Sequence, residues 1–424
     1  MRRLERRTVA VGISLLVPLL LLTSSGTAAA GTEPGSGQDA ALSVVASIPL
    51  ASWSGTPTYD GANGNLYVPG GFGVAPLPTL SDVTIVSGAT NTVTGTVIVG
   101  GNPWFPTVDS LNGDVYVPNS VSNNVSVISG TTGSLLATIP VGNDPTEVTF
   151  DPMNGNLYVS DQNGTESSGS ISVISGVLNQ VIATVALDFL SGSVLGPNGT
   201  IYVGGGNHLS VISGTTNSVI DTIPVSANVD ALLYDPANED LYAGTSGGLV
   251  IIPSSTNAVS QTLGSVGEPV FVDSNGDVYT LQSGSPANVS VISGSSNSVI
   301  STFPVGPAST VAYDPATGDL YATDPEMFPG VLTVTSSSSK QILESVTLAP
   351  QGYLVEPRYD PGNGEVYVVE YGASNAVLVL GNGTSSSGAT SSLLDSALFL
   401  GAGIVVGVLA TAGVVLLRQR RKRS

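Results

Sequence analysis

Three observations predict an all-β chain folded as an eight-bladed β-propeller of four-stranded antiparallel blades. A tyrosine motif recurs eight times, a valine- and isoleucine-rich motif follows it in phase, and the composition is that of short strands joined by turns. Only 10% of the 424 residues are charged, while 52 glycines and 27 prolines punctuate the chain. With no cysteine, neither disulfides nor thiolate chemistry are available.

The strongest copies of the first motif are DPMNGNLYV at 151–159, DPANEDLYA at 235–243, DPATGDLYA at 314–322 and DPGNGEVYV at 360–368. Weaker copies are DGANGNLYV at 60–68, DSLNGDVYV at 109–117, GPNGTIYV at 196–203 and DSNGDVYT at 273–280. Their tyrosines are Tyr67, Tyr116, Tyr158, Tyr202, Tyr242, Tyr279, Tyr321 and Tyr367, spaced 37 to 49 residues apart. The second motif is seen in NVSVISGTTGSLLATIPVG at 124–142 and in HLSVISGTTNSVIDTIPV at 208–225.

Each period reads as four strands. In the third copy they are predicted at 145–150, 156–160, 170–175 and 181–187. Asp-Pro opens the first turn, because proline presets φ and the Asp side chain accepts from the backbone. Asn-Gly closes it by supplying positive φ. The eighth copy has three strands, and SVVASIPL at 43–50 looks like a fourth strand with nothing before it. The N-terminal strand should therefore complete the last blade and close the ring. A seven-bladed ring is the alternative, because the copies at 196–203 and 235–253 are short.

The ends of the chain read differently. MRRLERR, an apolar stretch of 14 residues and Ala28-Ala29-Ala30 form a secretory signal peptide over 1–30, followed by a linker at 31–40. The propeller is expected over 41–381, then a Ser/Thr/Gly-rich stalk at 382–396. Residues 397–417 are uncharged and long enough for a transmembrane helix, and the basic tail 418–424 should stay cytoplasmic. The expected location is the cell membrane, single-pass, with the propeller outside. Gly403 and Gly407 form a G-x-x-x-G pair that suits helix packing.

Between the ends, residues 31–392 hold only Lys340 and Arg358 against 29 acidic residues. Such a surface repels nucleic acid and anionic lipid. It favours solubility, and few basic groups would also limit positive self-repulsion in acid.

The repeats resemble the YVTN-family β-propeller repeats of prokaryotic cell-surface proteins, archaeal surface-layer proteins in particular. The likeness rests on VG..P, DP.NG.LYV,.VSVI.G.TN.VI and ATIPVG across 41–381, with YVPN at 116–119 and YVSD at 158–161 nearest to the signature tetrapeptide. It implies a surface-layer, adhesion or extracellular binding protein with no catalytic residues. Related propellers set the enzyme alternative, a lactonase-like hydrolase or an oxidoreductase subunit.

No catalytic constellation, metal site or cofactor is expected. The repeated Asp60, Asp109, Asp151, Asp235, Asp273, Asp314 and Asp360 read as turn acceptors rather than ligands. His208 is the sole histidine, which excludes multi-histidine metal sites. The aromatic residues carry more information. Trp53, Trp104, Phe105, Phe189 and Tyr353 fall in blade-to-blade connections, and Phe72 and Phe328 in second-to-third loops. All seven map to one predicted face and are candidate contacts for envelope proteins or glycans, or for a second copy of the chain, unless they fold inward as plugs. Asn124, Asn163, Asn198, Asn288 and Asn382 sit in glycosylation sequons.

Overall fold

The computed structural model describes residues 42–382, except 52–53, 72–79, 164–167, 189 and 373. The expected signal peptide, linker, stalk, transmembrane segment 397–417 with Gly403 and Gly407, and basic tail lie outside the described residues, as do Trp53, Phe72 and Phe189. Among the described residues, no helix is long and apolar enough to cross a membrane.

The chain forms eight antiparallel sheets, one per tyrosine motif. Blades 1 to 7 follow one another over 58–100, 107–140, 145–187, 192–224, 229–263, 268–308 and 310–349. In blade 3 the strands are Pro145–Asp151, Asn156–Asp161, Gly169–Ser175 and Gln180–Leu187, within a residue of the predicted bounds. The two short copies also build four strands each. Their shortness lies in two-residue hairpins, Gly206-Asn207 and Ser246-Gly247, between second and third strands.

Blade 8 closes the ring. Its first strand is split into Gly352–Leu354 and Arg358–Asp360, both paired with Glu365–Gly372. The outer strand is the N-terminal Leu42–Pro49, antiparallel to Ala376–Asn382, with Leu42 opposite Asn382. The Leu42 amide also donates to Glu344 Oε2 of blade 7 at 3.2 Å.

The core is the set of interfaces between blades. All eight repeat tyrosines are buried, in clusters that take side chains from two adjacent blades. Valine and isoleucine dominate because both faces of a blade are covered by neighbours. The outer strand is bulged against the third in blades 1, 2, 3, 4, 6, 7 and 8. A bulge increases twist and spoils the exposed edge as a pairing template.

Candidate recognition face and central channel

The two ends of the strands make two different surfaces. The first-to-second and third-to-fourth turns share one face, here the turn face. The second-to-third loops and blade-to-blade connections share the other, the loop face. The paired ends Leu42 and Asn382 stand where the other blades carry a third-to-fourth turn, so both chain ends leave on the turn face.

The turn face is a hydrogen-bonded ring. Each repeated aspartate accepts through Oδ1 from the amide two residues on, as in Asp60 to Ala62 (2.9 Å), Asp235 to Ala237 (2.8 Å) and Asp314 to Ala316 (2.8 Å). These are turn acceptors, as expected. The asparagine of the same turn joins one blade to the next: Asn63, Asn154 and Asn238 donate to the carbonyls of Gly130, Gly214 and Gly294 at 3.0, 3.1 and 3.0 Å. The tyrosines do likewise. Tyr116, Tyr158, Tyr202 and Tyr242 donate to Oδ1 of Asn179, Asn217, Asn257 and Asn297 in the following blade, at 2.6, 3.2, 2.9 and 2.8 Å. Tyr367 closes the circle onto Asn91 at 3.1 Å. Burial pushes the Tyr202 and Tyr242 hydroxyls up to about 12, so they remain donors. The accepting asparagines have φ near +50°, which Asn tolerates better than other side chains.

Blade 4 departs from the pattern for a steric reason. Gly196 replaces the aspartate, and a β-carbon there would lie 2.4 Å from the Tyr202 ring. A short 3-10 turn, Pro197–Gly199, makes the connection instead.

The tetrapeptides YVPN and YVSD have a structural role on the loop side. Asn119 of YVPN is buried and donates to Ser126 Oγ (3.0 Å) and Asn124 Oδ1 (2.8 Å). Asp161 of YVSD accepts from Ser172 Oγ at 2.6 Å and Ser170 Oγ at 3.2 Å. Burial nevertheless pushes the Asp161 carboxyl up to about 6. The glycine of VG..P is needed for close approach: a β-carbon on Gly142 would lie 2.5 Å from Asp161 Oδ2.

The inner strands form two unlike arcs of a central channel. From blade 8 to blade 3, one polar side chain per blade donates to a carbonyl of the next. Arg358 Nε reaches Pro57 (3.1 Å), Thr58 reaches Pro106 (2.6 Å), Thr107 reaches Val148 (2.7 Å) and Thr149 reaches Ser193 (3.2 Å). In blades 4 to 7 the same position holds Val194, Leu233, Phe271 and Ala312, which donate nothing. Phe271 stacks on Tyr313 (4.6 Å) and Tyr279 (4.5 Å) instead. A cavity of about 630 Å³ follows the inner strands of blades 6 to 8, with Tyr313, Glu356, Arg358 and Tyr359 on its wall. Arg358 is already paired with Glu356 at 2.9 Å. Glu147 lines the opposite arc, accepts from the Ser193 amide at 3.1 Å, and is pushed up to about 7 by burial.

On the loop face the candidate aromatics fall into separate groups. Trp104 and Phe105 are half-buried, 5.7 Å apart, and the Trp104 Nε1 proton goes to Ser120 Oγ at 3.2 Å. Phe328 is 57% exposed and lies 5.6 Å from Tyr353. Tyr353 stacks on Tyr371 at 5.1 Å, and Tyr371 donates to the Pro325 carbonyl at 2.9 Å. The pair Trp104–Phe105 therefore belongs to blade 2, and the trio Phe328–Tyr353–Tyr371 to the junction of blades 7 and 8. Tyr371 escaped the sequence reading. It lies four residues beyond Tyr367 on an extended strand, so period-two alternation puts both on one side.

Of the sequon asparagines, Asn198 is exposed on the turn face, while Asn124, Asn163 and Asn288 are half-buried at the loop side. Asn382 ends the third strand of blade 8. His208 begins the third strand of blade 4, half-buried. Among the described residues no group of three or more histidines and carboxylates could hold a metal ion.

No protein-family model matches the chain, and no curated protein does. Solved structures do. The dihydro-heme d1 dehydrogenase NirN, in its complex with DHE, superposes with a TM-score of 0.63 at 13% identity, covering 78% of this chain and 73% of that one. The Kuenenia stuttgartiensis hydrazine synthase gives 0.49 at 18% identity, covering 63% and 92%. At such identity the NirN likeness speaks for the fold alone, and what it shares with this chain is an eight-bladed β-propeller.

Proposed function

We propose that the chain is a cell-surface recognition propeller of the YVTN type, held to the membrane by its C-terminal segment and binding an envelope protein or glycan through its loop face. The observation that carries this reading is the separation of the two faces. Chain ends and repeated, hydrogen-bonded turns occupy one; unlike loops with aromatic side chains occupy the other. A tether at Asn382 followed by the apolar stretch 397–417 turns the loop face outward. Variable loops on a rigid ring are where binding is usually found, and exposed aromatics stack on sugars or anchor protein partners with few rotors to freeze.

The test is a glycan array and an envelope pull-down with the full-length protein, comparing wild type with Phe328→Ala/Tyr353→Ala. The reading expects binding to fall at least tenfold while the protein still unfolds in one cooperative melt, lowered by the stacking that Tyr353→Ala loses on Tyr371. Equal binding by both proteins would remove the aromatic trio from the recognition surface.

A further inference from the structure

The turn face is polar in most blades and apolar in one sector. At the third position of the Asp-x-x-Asn turn, other blades carry Ala62, Ala237 and Gly362, but blades 2 and 3 carry Leu111 and Met153. In the third-to-fourth turn, where blade 4 has Thr215-Thr216 and blade 6 has Ser295-Ser296, blade 3 has Val177-Leu178. These four side chains are 65%, 69%, 87% and 60% exposed, respectively. They are neighbours. A β-carbon on Gly155, in the Met153 turn, would lie 3.7 Å from Leu111 Cδ1. The Tyr116 hydroxyl of blade 2 bonds Asn179, the residue next to Leu178, at 2.6 Å. Four large apolar side chains standing in water at adjacent turn tips form a patch with no folding role, which marks a contact surface.

Where the chain ends says what covers it. Asn382 leaves on this same face, and 14 residues (383–396) separate it from the apolar stretch 397–417. A Ser/Thr/Gly-rich stretch of that many residues can reach only about 20 Å on average by chain statistics alone. The turn face is thus the one held against the membrane. Residues 31–392 have only Lys340 and Arg358 as cations, so nothing draws this face to anionic headgroups. Apolar tips are what a neutral bilayer interface accepts.

We infer that Leu111, Met153, Val177 and Leu178 form a membrane-contact patch that seats the propeller, turn face down and leaning on blades 2 and 3, on the neutral bilayer in which its own C-terminal segment is anchored. This rests on the anchoring reading above and adds an orientation and a contact to it.

The chain has no cysteine, so single-site labels are unambiguous. Full-length protein is reconstituted in phosphatidylcholine vesicles with an environment-sensitive dye at Met153→Cys or, as the loop-face control, at Phe328→Cys. The dye at position 153 should be quenched by lipids spin-labelled near the headgroup, and the dye at position 328 should not. Adding Leu111→Ala, Val177→Thr and Leu178→Thr, residues that sister blades carry in the same turns, should cut that quenching at least threefold while the melt is unchanged. Failure to float with the vesicles would overturn the anchor and the contact together. Floating with position 153 unquenched, or with position 328 quenched instead, would overturn the contact alone. A blue shift at position 153 that disappears on dilution of protein in lipid, without lipid quenching, would assign the patch to a second copy and overturn the bilayer as its occupant.

Discussion

On the turn face, Asn91, Asn179, Asn217, Asn257 and Asn297 repeat one conformation and receive one bond each from the tyrosine of the preceding blade. On the loop face the VG..P connections repeat, but the second-to-third loops share little. Blade 4 turns in two residues, blade 7 uses TDPEMFPG, and blade 8 stacks Tyr353 on Tyr371. The contrast separates two demands on one ring. Turns that hold neighbours together must be alike, because each fits against its copy. Loops that touch nothing repeated are free to diverge, and there a binding surface can be written without touching the fold.

The largest test of this contrast removes the closure. Deleting 42–49 strips the outer strand from blade 8 and exposes the edge of Ala376–Asn382. Aggregation or loss of a single cooperative melt is expected. A deletion variant that remains monomeric with an unchanged melt would mean that the ring does not depend on its seam.

Next in size are the core tyrosines. Tyr158→Ala and Tyr242→Ala each leave a cavity between two blades, with an expected cost of about 3–5 kcal/mol in chemical denaturation. Tyr158→Phe keeps the ring and loses the bond it donates to Asn217 and the one it accepts from Asn154, for about 1–2 kcal/mol. If the phenylalanine variant were as unstable as the alanine one, the inter-blade bond rather than packing would hold the turn face. Asn217→Ala loses that same acceptor and also places a β-branched-free but chiral residue at φ 49°, so it should cost more than Asn217→Gly, by about 1 kcal/mol. At the small end, Phe328→Ala on the loop face should stay within about 0.5 kcal/mol of wild type.

Much of this was legible in the sequence because the information is local. Asp-Pro, Asn-Gly and the tyrosine spacing each act over a few residues, so strands in blade 3 could be placed to within a residue, and the orphan strand near residue 43 announced the closure. What stayed hidden is the phase between blades. The Tyr158–Asn217 bond joins residues 59 apart, and nothing in either motif says which copy faces which. The polar arc of the channel was hidden for the same reason: Thr58, Thr107 and Thr149 are ordinary strand residues until the next blade brings a carbonyl to each. Of the candidate aromatics, Trp104, Phe105 and Phe328 lie in connections and loops, but Tyr353 sits in the short strand Gly352–Leu354 rather than in a connection, because the first strand of blade 8 is split, and Tyr371 joins it from within the neighbouring strand.

Two carboxyls whose proton affinity is raised, Glu147 and Asp161, give the molecule a pH dependence. Glu147 is raised from an ordinary 4.5 to about 7, and Asp161 from 3.8 to about 6, both by burial. Between the unfolded and folded values the folded state holds the extra proton, so stability falls as pH rises through about 4.5–7 for Glu147 and 3.8–6 for Asp161. The melting temperature should therefore be higher at pH 5 than at pH 7.5, and Glu147→Gln should flatten part of that slope. A melt that rises towards neutral pH would contradict the assignment.

The separation of faces is tested most directly by a binding comparison between two variants of the full-length protein. One carries Trp104→Ala, Phe328→Ala and Tyr353→Ala on the loop face; the other carries Leu111→Ala, Val177→Thr and Leu178→Thr on the turn face. With both still folding cooperatively, the loop-face variant at a somewhat lower melt, only the loop-face variant should lose binding to envelope proteins or glycans. Retained binding by the loop-face variant, or equal loss in the turn-face variant, would contradict the assignment of recognition to the loops.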